Sequence, residues 1–315
     1  MIEKTIEFID ENIRAAINAS RVGTRFDVRD DTVWPSDILN VEHLVFYRLS
    51  SLRIGRADSP FVAIVAREIY FHDGTATSLV TVPTSPAIDG PAGPDGRHGI
   101  DRVETLDGEA GAEGGVGAPG RRQPPLILLA GRVGYGVPPG GSSPPLNIVS
   151  RGANGGRGGD GGRGGDGEKG RDGTPGRNHL EDGGSSVVCD VQPVPGQDGG
   201  NAGPGGRGGA GRPAAPGGDV YIVGPQDFIR AALDFKIDNL AGEDGDGGRG
   251  GSPGTPGAGG KSVKPVAGCG PRKPDGRPGM PANVGDPGHN DDTNDPPAPG
   301  PVYEIPLGSW LPLPD

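Results

Sequence analysis

Residues 152–176 read GANGGRGGDGGRGGDGEKGRDGTPG, with glycine at every third position from Gly152 to Gly176. Such a period leaves one face in three without a side chain. Three residues per turn at about 3.1 Å rise describes the extended polyproline-II helix, which makes no internal hydrogen bonds. Its backbone N–H and C=O groups need partners outside the tract. Glycine recurs at 156, 159, 162 and 165, so this tract carries two bare faces. Gly152, Gly155, Gly156, Gly158, Gly159, Gly161, Gly162, Gly164 and Gly165 are therefore the candidate packing residues.

Four other tracts share the period. The first runs Gly90–Gly99 and resumes in frame at Gly108–Gly120 after the interruption GIDRVETLD. That preserved frame reads as one interrupted element. The third spans Gly196–Gly217 with Ala202 and Ala214 in frame, the fourth Gly242–Gly260, and the fifth, less regular, Gly270–Gly288. Apolar segments of strand character adjoin them: LILLAGRV, LNIVSRG, SSVVCDV, DVYIVG, DFKIDNLAG and PVYEIP. A unit of strand, glycine tract and strand thus repeats along the chain. Residues 226–233 predict a short helix that passes into a strand.

The front of the chain is different. Ile2, Ile6, Ile9, Ile13 and Ile17 form a helical stripe within residues 2–19, read as packing on its own module or as an oligomerisation face. Isoleucine at both core positions of a heptad favours trimers. Residues 41–88 alternate in strand fashion, and HDG at 72–74 reads as a hairpin-like break.

Composition narrows the function. Of 315 residues, 63 are Gly and 35 Pro, and the formal charge is −11. Low-complexity disorder is one outcome of such a composition. The acidic balance disfavours nucleic acid, and Arg157, Arg163, Arg207 and Arg249 in RGG triplets are interleaved with aspartates. No stretch approaches a membrane span, and the N-terminus lacks a Sec-type apolar core. Location is left between the cytoplasm and a virion or appendage reached by another route. Cys189 and Cys269 form no CxxC and read as free or buried thiols, with pairing open in an oxidising compartment.

Chemistry is sparse. The five histidines are scattered, and no HExxH, GxSxG or GxxxxGK[ST] occurs. GEDGDGG (242–248) falls short of an EF-hand loop, GGRGGDGGR (155–163) lacks the apolar residue of the calcium nonapeptide, and HNDDTND (289–295) reads as an exposed acidic loop. No enzyme, cofactor or metal is expected. Asn154, Arg157, Asp160, Arg163, Asp166, Lys169 and Asp172 line the third face of the second tract, read as a solvated face that fixes register against a neighbour.

The strand–GGxGGxGGx–strand arrangement resembles the polyglycine-II bundles of the Obg GTPase N-terminal domain and of T-even phage distal tail adhesins. The resemblance covers residues 90–300 and implies loops projecting from a glycine sandwich towards a receptor. The expected fold class is mainly β and irregular: a small α+β N-terminal module followed by a polyglycine-II helix bundle linked by short β-strands. Residues 1–88 would dock or oligomerise, 89–300 form the bundle, and 301–315 a terminal strand or tail. The expected role is structural and adhesive, as part of a fibre, appendage or phage tail tip that meets a surface receptor or protein partner. A cytoplasmic assembly factor and a collagen-like trimeric stalk are the alternatives.

Overall fold

A computed structural model describes residues 11–56, 58–100, 106–139, 144–290 and 298–307. Ile2, Ile6 and Ile9, most of the acidic loop at 289–295 and the tail from 308 lie outside the described residues. Helix α1 (Glu11–Ala19) precedes six strands: β1 (Gly23–Val28), β2 (Asp31–Trp34), β3 (Ile38–Phe46), β4 (Ser51–Ile54), β5 (Val62–Phe71) and β6 (Ser78–Thr81). Then come β7 (Leu126–Tyr135), β8 (Leu146–Val149), β9 (Arg177–Glu181), β10 (Ser186–Val191), β11 (Val220–Pro225), α2 (Gln226–Ala232), β12 (Lys236–Asp238) and β13 (Val302–Leu307).

Two all-parallel sheets take these strands. The first has order β1-β3-β5-β7-β11-β13 and the second β12-β8-β6-β4-β2. Up to β8 the chain visits them alternately, winding a coil. HDG at 72–74 is therefore not a hairpin break but a turn from the first sheet to the second. Like residues stack on like through the register. Leu39, Ile64 and Leu128 align, then Val41, Ala66 and Ala130, then Leu44, Ile69 and Val133. Phe46, Phe71 and Tyr135 close the series, with ring centroids 5.5 and 5.7 Å apart. Across the interior, Leu52, Val80, Ile148 and Ile237 form the facing column. These aliphatic and aromatic columns fit a pleated, buried surface, which is why the segments are strands.

Helix α1 lays Ile13 and Ile17 on the outer side of the first sheet, against Phe61, Ala63, Val65 and Ile127. The two described isoleucines of the stripe, Ile13 and Ile17, are thus occupied within their own chain. Helix α2 buries Phe228, Ile229 and Ala232 in the main core before the chain enters β12.

The expected fold class is corrected by these sheets. Strands that follow a glycine tract pair in parallel with strands that precede it, as β7 does with β5 across all ten of its positions' span from Leu126 to Tyr135. Glycine tracts are thus long links inserted into one parallel-strand coil of α/β type. They are not a polyglycine-II helix bundle appended to a small module. The physical reason is that the apolar strands find mates of the same pattern in the coil, whichever side of a tract they lie on.

Candidate functional site

The three longest links leave the second sheet and return to the first. Each runs out and back as two extended legs with no assigned helix or strand: 90–99 and 108–120, then 152–176 and 196–217, then 242–260 and 276–288. Numbered 1 to 6 in chain order, the outgoing legs 1, 3 and 5 continue the order of β6, β8 and β12. Returning legs 2, 4 and 6 anticipate the order of β7, β11 and β13. The preserved frame at Gly108 is therefore a reversal, not one interrupted element. Leg 2 runs antiparallel to leg 1, with Glu109, Ala112 and Gly115 N–H donating to Arg97, Pro94 and Pro91 carbonyls.

Backbone ladders join the legs into a two-layered blade. In leg 3, Gly155, Gly158, Gly161 and Gly164 donate to Glu243, Asp246, Arg249 and Ser252 of leg 5 at 2.8–2.9 Å. Gly156, Gly159, Gly162 and Gly165 donate to Ala118, Gly115, Ala112 and Glu109 of leg 2, each at 2.8 Å. At the root, Gly152 donates to Leu240. Leg 3 also accepts bonds from legs 1 and 4, so it touches four neighbours. A methyl on Gly158 would sit 2.0 Å from the Gly209 oxygen, and one on Gly159 would sit 1.9 Å from the Pro91 oxygen. Neither distance is attainable, so both bare faces are required by contact. Ala202 and Ala214 are buried in leg 4, and Ala202 N–H donates to Met280 as its glycine neighbours do to their own partners.

These partners all lie in the same chain, which overturns the collagen-like stalk. Nothing in the fold bears on a tail fibre or on adhesion, and those readings fall with the bundle that suggested them.

The outer face of legs 1, 3 and 5 holds register through side chains. On this third face several N–H groups are taken by side-chain carboxylates, an amide or a histidine in place of a carbonyl. In leg 3, Asn154, Asp160, Asp166 and Asp172 accept the N–H of Glu243, Arg249, Thr255 and Lys261 at 2.6–2.9 Å. From leg 1, Asp89 and Asp95 accept the N–H of Arg157 and Arg163, and His98 Nδ1 accepts that of Asp166. Arg157, Arg163 and Lys169 pair with Asp160, Asp166 and Asp172 at 2.7, 2.6 and 3.0 Å. The Thr255 hydroxyl and N–H, then Arg163 and His98, hold the Asp166 carboxyl below its ordinary range. Lys261 N–H and the Lys169 ammonium do the same for Asp172. In GEDGDGG, Asp244 accepts the Ala214 N–H, a structural use rather than a cation site.

At the far end, β9 and β10 form an antiparallel hairpin between legs 3 and 4. A disulfide joins Cys189 of this hairpin to Cys269 in the turn between legs 5 and 6, correcting the reading of free thiols. Gly268 and Gly270 take φ of +80° and +82° in that turn, a region that L side chains rarely adopt. Asn178 Nδ2 donates to the Ala267 carbonyl, a second tie between the two tips. Leu180 and Val187 face each other across the hairpin, and with Val191 they stand exposed, Leu180 at 64 %. His179 Nδ1 lies 2.6 Å from Asp190 and Nε2 3.3 Å from Glu181.

Among the described residues, three of the histidines have these surroundings. His43 pairs with Glu68, His72 stacks on Tyr47, and the His289 carbonyl accepts the Gly211 N–H. Among the described residues, no group of three or more His, Cys, Asp or Glu could hold a metal ion. An open groove of about 500 Å³ is lined by Ser20, Pro35, Ser36, Asp37, Ile38 and Arg56. Its Asp37 carboxylate is taken by the Ser59 hydroxyl. Among the described residues, no helix is long and apolar enough to cross a membrane. Sequence reasoning missed the tip, for which the two cysteines were the available signal.

No family model matches the chain, and no curated protein does. Among solved structures, it is similar to a springtail antifreeze protein from Granisotoma rainieri, described as a nine polyproline type II helical bundle. Identity is 23 % over 62 % of this chain and 94 % of that one, with a TM-score of 0.07. A likeness at that TM-score carries no argument.

Proposed function

We propose that the chain is a non-enzymatic structural protein whose glycine blade, rooted in the parallel-sheet coil, holds its tip towards a protein partner in a larger assembly. One observation carries this reading. The end of the blade is fastened by the Cys189–Cys269 bond and presents Leu180, Val187 and Val191 to solvent. Apolar side chains held out on a braced hairpin fit a protein contact better than a solvated surface. A disulfide there also favours oxidising surroundings.

A photo-crosslinking residue at Leu180, compared with one at exposed Val33 on the coil, tests the reading. Adducts to a discrete partner are expected from the tip alone, and Val187→Asp should abolish them without changing the melting temperature. Equal labelling from both positions would refute it. An assembly factor that docks through the flat of the blade is favoured by a separate observation. Val116, Met280 and Val284 are exposed on legs 2 and 6. Cross-links from Met280 and not from Leu180 would select that reading.

A further inference from the structure

The carboxylates on the outer face of the blade have a chemical property that the glycine ladders lack. Glycine N–H to carbonyl bonds are indifferent to pH, whereas a carboxylate accepts an N–H best when ionised. Here five aspartates, Asp89, Asp95, Asp160, Asp166 and Asp172, tie legs 1 and 5 to leg 3 through backbone N–H groups. Three of them also hold a cation of their own leg. One proton at Asp166 or Asp172 therefore weakens an interleg bond and an ion pair together.

We propose that this face is an acid-released latch: protonation of Asp166 and Asp172 loosens leg 5 from leg 3 while the coil stays folded. The groups facing the row are accounted for on each element packed against it. Leg 3 contributes Arg157, Arg163 and Lys169. Leg 1 contributes Asp89, Asp95 and His98, the last 3.5 Å from the Asp166 carboxylate. Leg 5 presents Arg249 and Lys261, whose N–H groups are the ones latched, and Glu243 at the root. The Thr255 hydroxyl and N–H, ahead of Arg163 and His98, hold the Asp166 carboxyl below its ordinary range, and the Lys261 N–H, ahead of the Lys169 ammonium, does so for Asp172. Since their folded values lie below the unfolded one, this stabilisation is complete above the unfolded value and disappears as pH falls through the folded one.

The chain contains its own controls. Asn154 Oδ1 accepts the Glu243 N–H, and Asn201 Oδ1 accepts the Met280 N–H in the facing layer, with no proton to gain. An amide can thus fill the same position without titrating. The coil lacks such a row in its interior, where Leu, Ile, Val and Phe side chains meet. The latch stands independently of any partner at the tip.

Amide hydrogen exchange on the full, disulfide-intact chain tests it, with protection corrected for the intrinsic pH dependence. Between about pH 7 and about pH 2.5, protection in 164–173 and 252–261 is expected to fall at least about tenfold, with β3, β5 and β7 within about twofold. The triple variant Asp160→Asn, Asp166→Asn, Asp172→Asn should keep its protection in 164–173 and 252–261 across that range. Equal loss in blade and coil, or an unchanged acid transition in the triple variant, would overturn the latch. If the triple variant does not fold, Asp172→Asn alone decides: pH dependence at residues 258–261 must vanish, and its persistence counts against the latch.

Discussion

The coil and the blade share one stacking order but keep it with opposite interiors. In the coil, two sheets stand apart with side chains filling the space between them, about 10 Å in such packings. In the blade the same rows continue, yet the layers touch backbone to backbone, since an added Cβ would meet a carbonyl oxygen near 2 Å. Glycine supply follows neighbour number. Legs 1 and 6 touch two legs and carry one bare frame, while leg 3 touches four and carries two. The blade is accordingly closed: its edge legs turn side chains outwards and offer no further bare face. A stacked fold is therefore defined by its order of chain passes, and hydrophobic burial is only one way to fill it.

The comparison breaks hardest at Gly162. A valine there would place Cβ 2.0 Å from the Pro94 oxygen and push leg 1 away. Roughly five ladder bonds around the site would open, at about 1 kcal/mol each, for a local loss of about 5 kcal/mol. Exchange protection should collapse through 90–99, 108–120 and 155–170 while β3, β5 and β7 keep theirs. A uniform loss would show that blade and coil fold as one unit. Phe71→Ala strikes the other interior, where Phe71 stacks between Phe46 and Tyr135. Denaturant titration should register a loss of about 4 kcal/mol. Here the blade must follow the coil, because its legs are rooted in β6, β8 and β12. Protection in the legs that outlasts protection in β5 would contradict that rooting.

Reducing the Cys189–Cys269 bond comes next. It joins the two tips over a sequence separation of 80 and should contribute about 3 kcal/mol. Thermal melts with and without a dithiol reductant check this, and Cys189→Ser should match the reduced chain. Since the bond lies at the far end, its loss should expose residues 177–191 to protease before any part of the coil.

How far this was legible in the sequence depends on the kind of signal. Gly152–Gly165 announced close approach on two faces, because only missing side chains permit it, and the Asn154–Asp172 face announced register. The helix at 226–232 and the strand after it followed from period and length. The parallel coil stayed hidden for a physical reason. Its columns place Leu39 over Ile64 and Leu44 over Ile69 at a constant offset of 25, but the links to β7 and β11 are far longer and break the period. A strand such as LILLAGRV is compatible with many mates, and only the stacking of Ile64 on Leu128 and Phe71 on Tyr135 chooses between them. The disulfide was equally hidden, since β10 and the 266–270 turn meet only once four legs have been laid side by side.

The smallest effect separates charge from hydrogen bonding on the outer face. Arg157 and Asp160 form an exposed pair at 2.7 Å, and such pairs contribute about 0.5 kcal/mol or less. Arg157→Ala should therefore barely move the denaturation midpoint, and added salt should mask even that. Asp160 has a second role, because its Oδ1 also accepts the Arg249 N–H from leg 5. Asp160→Ala leaves that N–H without its partner and should cost more, about 1 kcal/mol, with little salt dependence. Asp160→Asn should recover most of the difference while forfeiting the ion pair. Equal losses for Arg157→Ala and Asp160→Ala, both screened by salt, would mean that the face is held by charge alone. The ordering Asp160→Ala, then Asp160→Asn, then Arg157→Ala would mean that the aspartates act first as backbone acceptors, replacing on the blade the register that side-chain columns supply in the coil.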